Sequence, residues 1–395
     1  MSKPTPLSAI NDQGKPVDWW FIYKVAGDST ASDGSKPKGT EYVYYDSSFT
    51  AGAKKLVFSA DLIGDATDGA VGNTLNQIYH GGGNAEMGWF FYNDEDPLTG
   101  ITNGVRGHTK GVLCFDLATQ SGFWLIDSAP KFPPKGTYSY PPNAKQNAQT
   151  FLCITLKDAD TAKAIAAQML QAQQPNVFLA SAVPPSLPAT DPRVLLIQNK
   201  VPAVEASYAN FITFQSKGGQ SFRSIAKNKE WNKANDDDFY NDLVGPALAE
   251  SLEVETWEHG LTPGQWQPDK VHTVIAMKSV NLAPLGIKPS YEWSEVNDHA
   301  KLAISDQNEK VKYVCVGDIN FTVAQEKRSG GTVAFICPPL WGSIIEILSA
   351  VNIKVTRGAA AGTVSGARGT AGAGAAPGAA AAAKMVNGAV YGKAL

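Results

Sequence analysis

Two tripeptides, His108-Thr109-Lys110 and His299-Ala300-Lys301, lie 191 positions apart, and each heads an apolar run of strand character. The runs are Gly111-Val112-Leu113-Cys114-Phe115 and Leu302-Ala303-Ile304-Ser305. Residues i and i+2 of a strand share a face, so a His and a Lys project side by side in each half. An imidazole can attack phosphorus or pass a proton, and a neighbouring ammonium can hold a phosphate oxygen. The expectation is a duplicated fold whose halves meet along a pseudo-two-fold axis at one composite site for phosphodiester chemistry. Only five His occur (His80, His108, His259, His272 and His299), which makes two in one frame informative. Taken singly, His-x-Lys is a weak pattern, and a lone His before a buried strand is more often a hydrogen-bonded structural residue. The flanking sequence has to decide.

With 395 residues, 43% hydrophobic and 18% charged, the chain has apolar mass for two domains or one large composite domain. A net charge of −3 excludes the bulk basic character of a general nucleic-acid binder, so a polyanionic substrate needs a local cationic lining. Lys and Arg gather at Lys131 and Lys135, from Arg223 to Lys233, and at Lys310, Lys312, Lys327 and Arg328; the plain reading of each is solvated surface. The four Cys form no C-x-x-C pair, which argues against zinc and thioredoxin chemistry. Cys114 and Cys153 read as small core residues, whereas Cys315 and Cys337 flank a Gly-Asp-Ile-Asn turn and are candidates for a disulfide. No compact set of Asp, Glu and His has metal spacing, so neither metal nor cofactor is expected. No secretory h-region or 18-residue apolar span is visible, which predicts a soluble chain away from membranes. Retention in the cytosol and export without a standard signal both stay open.

Strands are predicted around residues 17–25, 40–46, 89–94, 111–115, 122–128, 151–156, 211–214 and 252–257. Helices are predicted from Gly69 to Tyr79, from Asp158 to Gln173, around Asp238 to Ser251, and from Pro339 to Ala350. Trp257 leads into a turn at Glu258-His259-Gly260. This alternation gives mixed α/β layers. The Pro-rich stretch Ser181–Pro192 is the best linker. The expected division is a loose N-terminal segment (1–15), a first half (16–185), a second half (186–356) and a Gly/Ala-rich flexible tail (357–395).

The flanks of the two pairs resemble the deoxyribonuclease II family. Arg106-Gly107-His108-Thr109-Lys110-Gly111, running on to Gly122-Phe123-Trp124-Leu125 and Ser128-Ala129-Pro130-Lys131-Phe132, is similar to its first signature. Asp298-His299-Ala300-Lys301, Cys315-Val316-Gly317-Asp318-Ile319-Asn320 and Arg328-Ser329-Gly330-Gly331 are similar to its second. Pro16-Val17-Asp18-Trp19-Trp20, Tyr23-Lys24, Gly69-Ala70-Val71-Gly72, Tyr92-Asn93-Asp94 and Ser224-Ile225-Ala226-Lys227 follow in family order, over roughly residues 14–350. That family is similar to the phospholipase D superfamily, whose His-x-Lys-x-x-x-x-Asp motif occurs twice per site. The second copy fits, with Asp306 in place; in the first, Phe115 holds the acidic position and Asp116 follows it. Animal members often have Asn at the position of Lys131. They also carry a Cys shortly before the match to Cys153 that is missing here, so their disulfide is not expected.

The resemblance implies two phospholipase D-like α/β/α sandwich halves with the active site between them. It also implies metal-independent, acid-type cleavage of double-stranded DNA to 3′-phosphate and 5′-hydroxyl ends. In that scheme one His, taken as His108, forms a phosphohistidine and His299 serves as acid and then base; the two roles can be exchanged. Lys110 and Lys301 hold the non-bridging oxygens, and Asn320 adds a hydrogen bond. Trp124 and Trp341 are candidates for a DNA groove, although core positions fit them better. Two alternatives keep different parts of this picture: a phospholipase D-like hydrolase of lipid or nucleotide diesters, and a non-catalytic DNA-binding module. A second copy of the chain clamping the duplex is a further arrangement left open.

Overall fold

Trp19–Lys24 shows why a sheet forms. Its two faces are both apolar and both covered: Phe21 and Tyr23 enter one core, Trp20 and Ile22 another. Apolar residues on both faces mark a strand buried inside a layered sheet. In the computed structural model, which describes residues 5–49, 55–81, 83–231, 237–257 and 271–350, this strand belongs to an eight-stranded sheet. From edge to edge its strands are Val177–Ala180, Met87–Asn93, Lys110–Asp116, Ser121–Asp127, Gln149–Thr155, Trp19–Lys24, Tyr42–Asp46 and Val57–Phe58. A second sheet of seven strands runs Val274–Ala276, Leu252–Thr256, Lys301–Ser305, Tyr313–Gly317, Gly330–Ile336, Ser221–Lys227 and Ala209–Gln215. Each His-x-Lys pair thus leads into an interior strand, one per sheet.

The fold is mixed α/β with few helices. The sheets share one core, in which Phe21, Leu113 and Trp124 meet Leu302, Val316 and Phe335. Trp19 and Phe335 stack edge to face across it, 5.0 Å apart. Helix Ala159–Gln168 buries Ala162, Ile165 and Ala166 in the same core and is capped by Asp158, whose carboxylate accepts from Thr161 N at 2.8 Å. The predicted continuation to Gln173 is a wider π-type turn, Met169–Gln173. Helix Gly69–Tyr79 covers the outer face of the first sheet through Ala70, Val71 and Leu75. The helical segment from Phe239 to Leu248 covers that of the second through Phe239, Tyr240 and Val244. The closing helix begins on two prolines, Pro338–Ile347. Residues Met1–Ile353 form one compact unit.

One expectation is corrected, and two open readings resolve to the plainer choice. The N-terminal segment is not loose from Leu7 onward: Ala9–Ile10 pairs with Pro16–Val17, and Leu7 N and Ala9 N donate to Ser121 Oγ and Thr155 Oγ1, both at 2.8 Å. Its polar composition hid two small apolar anchors. All four Cys are free thiols, so Cys315 and Cys337 do not pair. They are placed in different packing environments: Cys315 faces the outer core and Cys337 the shared one. Trp124 and Trp341 are structural: their indole N–H groups donate to Tyr92 Oη at 2.9 Å and Ser305 O at 2.7 Å. The turn at 258–260 and the Gly/Ala-rich tail lie outside the described residues, among which no helix is long and apolar enough to cross a membrane.

Candidate active site

Strand Lys110–Asp116 pairs with Met87–Asn93 so that Lys110 faces Asn93, and strand Lys301–Ser305 pairs with Leu252–Thr256 so that Lys301 faces Thr256. Each His sits two residues before its strand begins, where its backbone reaches a residue flanking a strand of the other sheet. His108 N donates to Ser329 O and His299 N to Ala148 O, both at 2.9 Å. The rings are held crosswise as well. His108 Nδ1 lies 2.6 Å from Asp318 O, and His299 Nδ1 lies 2.9 Å from Ser128 O and 3.2 Å from Gln149 Oε1. A carbonyl oxygen only accepts, so each Nδ1 carries the hydrogen. Each Nε2 is left with its lone pair, the tautomer a nucleophile or general base needs.

The cations converge on the same place. Lys110 Nζ forms an ion pair with Asp94, which also takes Arg328 Nη2 at 3.0 Å. Lys301 Nζ donates to His299 O at 2.6 Å. Burial pushes His108 down to about 3, helped by the charges of Lys110 and Lys301 and opposed by Asp94. His299 is lowered well below the usual imidazole range by burial, then by Lys301 and Lys110, with His108 adding to it. The Lys301 ammonium is itself lowered by burial and by Lys110. Four groups that are 108 to 301 in sequence therefore act on one another through space. In a buried cluster of this kind an anion would favour every proton that burial disfavours.

Acids surround this centre. Burial alone would raise Asp94, but Lys110, His108 and Arg328 hold it below the ordinary carboxylate range. Burial raises Asp318 to about 7 against the pull of Lys110. Asp298 is raised by burial, and it accepts from Tyr23 Oη, from Trp293 Nε1 at 2.7 Å and from Ala300 N at 2.9 Å, which fixes the turn carrying His299. Trp257 lies against the His299 ring at 5.0 Å between centroids. Asn320, two residues past the carbonyl that holds His108, is buried, and its Oδ1 has no hydrogen-bond partner among the described residues. Asp306 sits at the far end of its strand in a turn with Asn308, away from His299. No group of three or more His, Cys, Asp or Glu with metal-binding geometry occurs among the described residues.

The structure thus gathers His108, Lys110, His299 and Lys301, with Asn320 on the turn beside them. Reading the sequence for side chains missed the roles of Asp94 and Arg328 as partners of Lys110, and of Asp298, Ser128, Gln149 and Asp318 as supports of the rings. Most of these lie inside the motifs quoted above, and their adjacency to them was the available signal.

The deoxyribonuclease II family model matches residues 8–353. A Burkholderia thailandensis protein named deoxyribonuclease-2 is 40% identical over 342 residues, 86% of this chain and 92% of its own. Plancitoxin-1 of Acanthaster planci is 32% identical over 330 residues, 83% of this chain and 87% of its own. Mouse deoxyribonuclease-2-alpha is 29% identical over 343 residues, 85% and 90% of the two chains. With its paired imidazoles in a cationic centre, the chain is a nuclease, a hydrolase of phosphodiester bonds. It belongs to the deoxyribonuclease II family.

Proposed function

We propose that this nuclease cuts double-stranded DNA without a metal, under acid conditions, through a phosphohistidine. One observation carries it: each imidazole is fixed by a carbonyl of the opposite half, leaving two Nε2 atoms in one cationic cluster. His108 Nε2 attacks phosphorus, forming a P–N bond as the bond to O5′ breaks. His299, protonated once the diester is bound, gives its proton to O5′ and then takes one from water. That water attacks phosphorus, the P–N bond breaks, and a 3′-phosphate leaves. Lys110 and Lys301 hold the non-bridging oxygens, the charge compensation a metal would otherwise supply, and Asn320 adds a hydrogen bond. DNA contacts of this kind go to phosphate, so sequence preference is small and binding weakens with salt.

The same proposal takes the two sheets as phospholipase D-like halves about a pseudo-two-fold axis, dividing near residues 185 and 186. Support comes from the strand orders. Met87–Asn93, Lys110–Asp116, Ser121–Asp127, Gln149–Thr155 and Trp19–Lys24 stand side by side in one sheet. Leu252–Thr256, Lys301–Ser305, Tyr313–Gly317, Gly330–Ile336 and Ser221–Lys227 stand in the matching order in the other.

Plasmid digestion in excess EDTA tests the chemistry. Cleavage should persist, and end-mapping should give 3′-phosphate and 5′-hydroxyl termini. Complete loss of cleavage in EDTA, or 5′-phosphate ends, would overturn the proposal.

A further inference from the structure

Two lysines outside the cluster described above are fully buried, and they occupy matching places. Lys24 ends strand Trp19–Lys24 and faces Gln149 in the ladder; Lys227 ends strand Ser221–Lys227 and faces Gly330. The residues just before those partners are Ala148 and Ser329, whose carbonyls receive the backbone N–H of His299 and His108. Lys24 Nζ donates to the carbonyls of Val25, Gly39 and Lys145, each at 3.0 Å. Lys227 Nζ donates to the carbonyls of Glu326 and Arg328, the latter at 2.6 Å. Each ammonium therefore ties down the segment that leads into a strand and ends on the carbonyl that accepts the backbone N–H of His299 or His108.

We propose that Lys24 and Lys227 are a pair of positioning residues, each locking the loop through which its own half fixes the backbone of the histidine of the other, and through that backbone the placement of its ring. This rests on the two-imidazole reading above. Lys24 acts on His299 through Lys145 and Ala148. Lys227 acts on His108 through Arg328 and Ser329, and the Arg328 side chain also reaches Asp94.

Burying an ammonium among carbonyls is expensive, and among the described residues no carboxylate is hydrogen-bonded to either one. Three N–H donors from a single atom are what the Lys24 arrangement uses, and a neutral amine offers only two. The loop at Lys145 is close-packed around this point: a Cβ at Gly39, which has φ +76°, would fall 2.2 Å from Lys145 O, and one at Gly27 would fall 2.6 Å from it. Lys145 O also accepts from Gly27 N at 3.0 Å, so losing the ammonium leaves that carbonyl one donor short in a close-packed turn and the loop less firmly fixed. Glu41, Asp298, Asp28 and Lys145 face Lys24; Asp238, Glu326 and Arg328 face Lys227. Burial lowers Lys24 to about 7 and Lys227 to about 8, so both clamps carry their charge under acid conditions and weaken above neutrality.

The test uses Lys24→Met and Lys227→Met, which keep length and remove the donors. In the full chain with 15N-labelled histidine rings, Lys24→Met should move the Nδ1–H signal of His299 and leave that of His108 in place. Lys227→Met should do the reverse. In each variant kcat should fall about 10- to 100-fold, the scale of disturbing an outer-shell support, with KM within about threefold. Lys24→Gln and Lys227→Gln restore two donors without the charge and should recover part of the lost kcat; they also serve if a Met variant does not fold. Wild-type kcat with unmoved ring signals overturns the proposal, as does an equal shift of both rings in each variant. Cleavage by His108→Ala or His299→Ala would instead sink the two-imidazole reading, while the ring signals would still decide whether the clamps hold them.

Discussion

His108→Ala and His299→Ala should each lower kcat by about three orders of magnitude or more, and the double variant should fall little further. In the proposed mechanism both imidazoles act in the same step, one forming the bond to phosphorus while the other protonates the departing oxygen. Removing either leaves the partner with nothing to complete, which is why the losses do not add. The loss would not come from unfolding alone. Each ring gives one hydrogen bond to a carbonyl of the other half, and losing it costs about 1–3 kcal/mol for the acceptor left buried. Thermal unfolding of each variant measures that cost separately. His→Gln variants, which keep an amide donor near the carbonyl, serve as the second arm: they should recover stability and not activity. Plasmid nicking by either Ala variant within tenfold of the wild type would end the two-imidazole account.

The sequence carried the site further than it carried the supports. A His and a Lys two apart before an apolar run are visible because side-chain alternation on a strand is a period of two. The convergence of the two pairs was legible only as a duplication, since a separation of 191 positions does not say where the pairs meet. What holds the two histidines could not be read at all: the carbonyls of Asp318 and Ser128, which take the rings, and of Ser329 and Ala148, which take the backbone N–H groups, are backbone atoms, and every residue has one. The buried acids illustrate a different gap. Asp94 lies in a quoted motif, yet only the fold shows that it shares its two oxygens between Lys110 and Arg328. Strand positions such as Trp19–Lys24 were legible from unbroken apolar character. The N-terminal segment was not, because Leu7 and Ala9 anchor it through burial and hydrogen bonds to distant Ser121 and Thr155 rather than through any local pattern. The spacing of Cys315 and Cys337 suggested proximity, but their side chains serve different cores.

Lys301→Met should lower activity at the optimum by about 10²- to 10³-fold and move that optimum toward higher pH. The first effect is the loss of the cation that, in the proposed mechanism, stabilises charge on the transferring phosphoryl group. The second follows from the field at the imidazoles. Lys301 is among the charges that lower both His108 and His299, after burial itself. A lowered imidazole holds its proton only at acid pH, so the protonated partner that the proposed mechanism uses to expel O5′ is scarce in the free enzyme once pH rises above that value. The falling limb of kcat/KM therefore lies on the acid side. Removing the positive charge of Lys301 makes protonation easier at both rings, and the rising and falling limbs move up together. Met matches the length of the lysine stem and suits a fully buried position, so the strand Lys301–Ser305 should keep its register. A rate profile from pH 3 to 8 for both proteins reads the two effects independently. A drop in rate with an unmoved optimum would leave Lys301 as a phosphate contact without influence on the imidazoles. A shift to lower pH would contradict the electrostatic account outright, because no arrangement in which Lys301 repels the imidazolium form can give that sign.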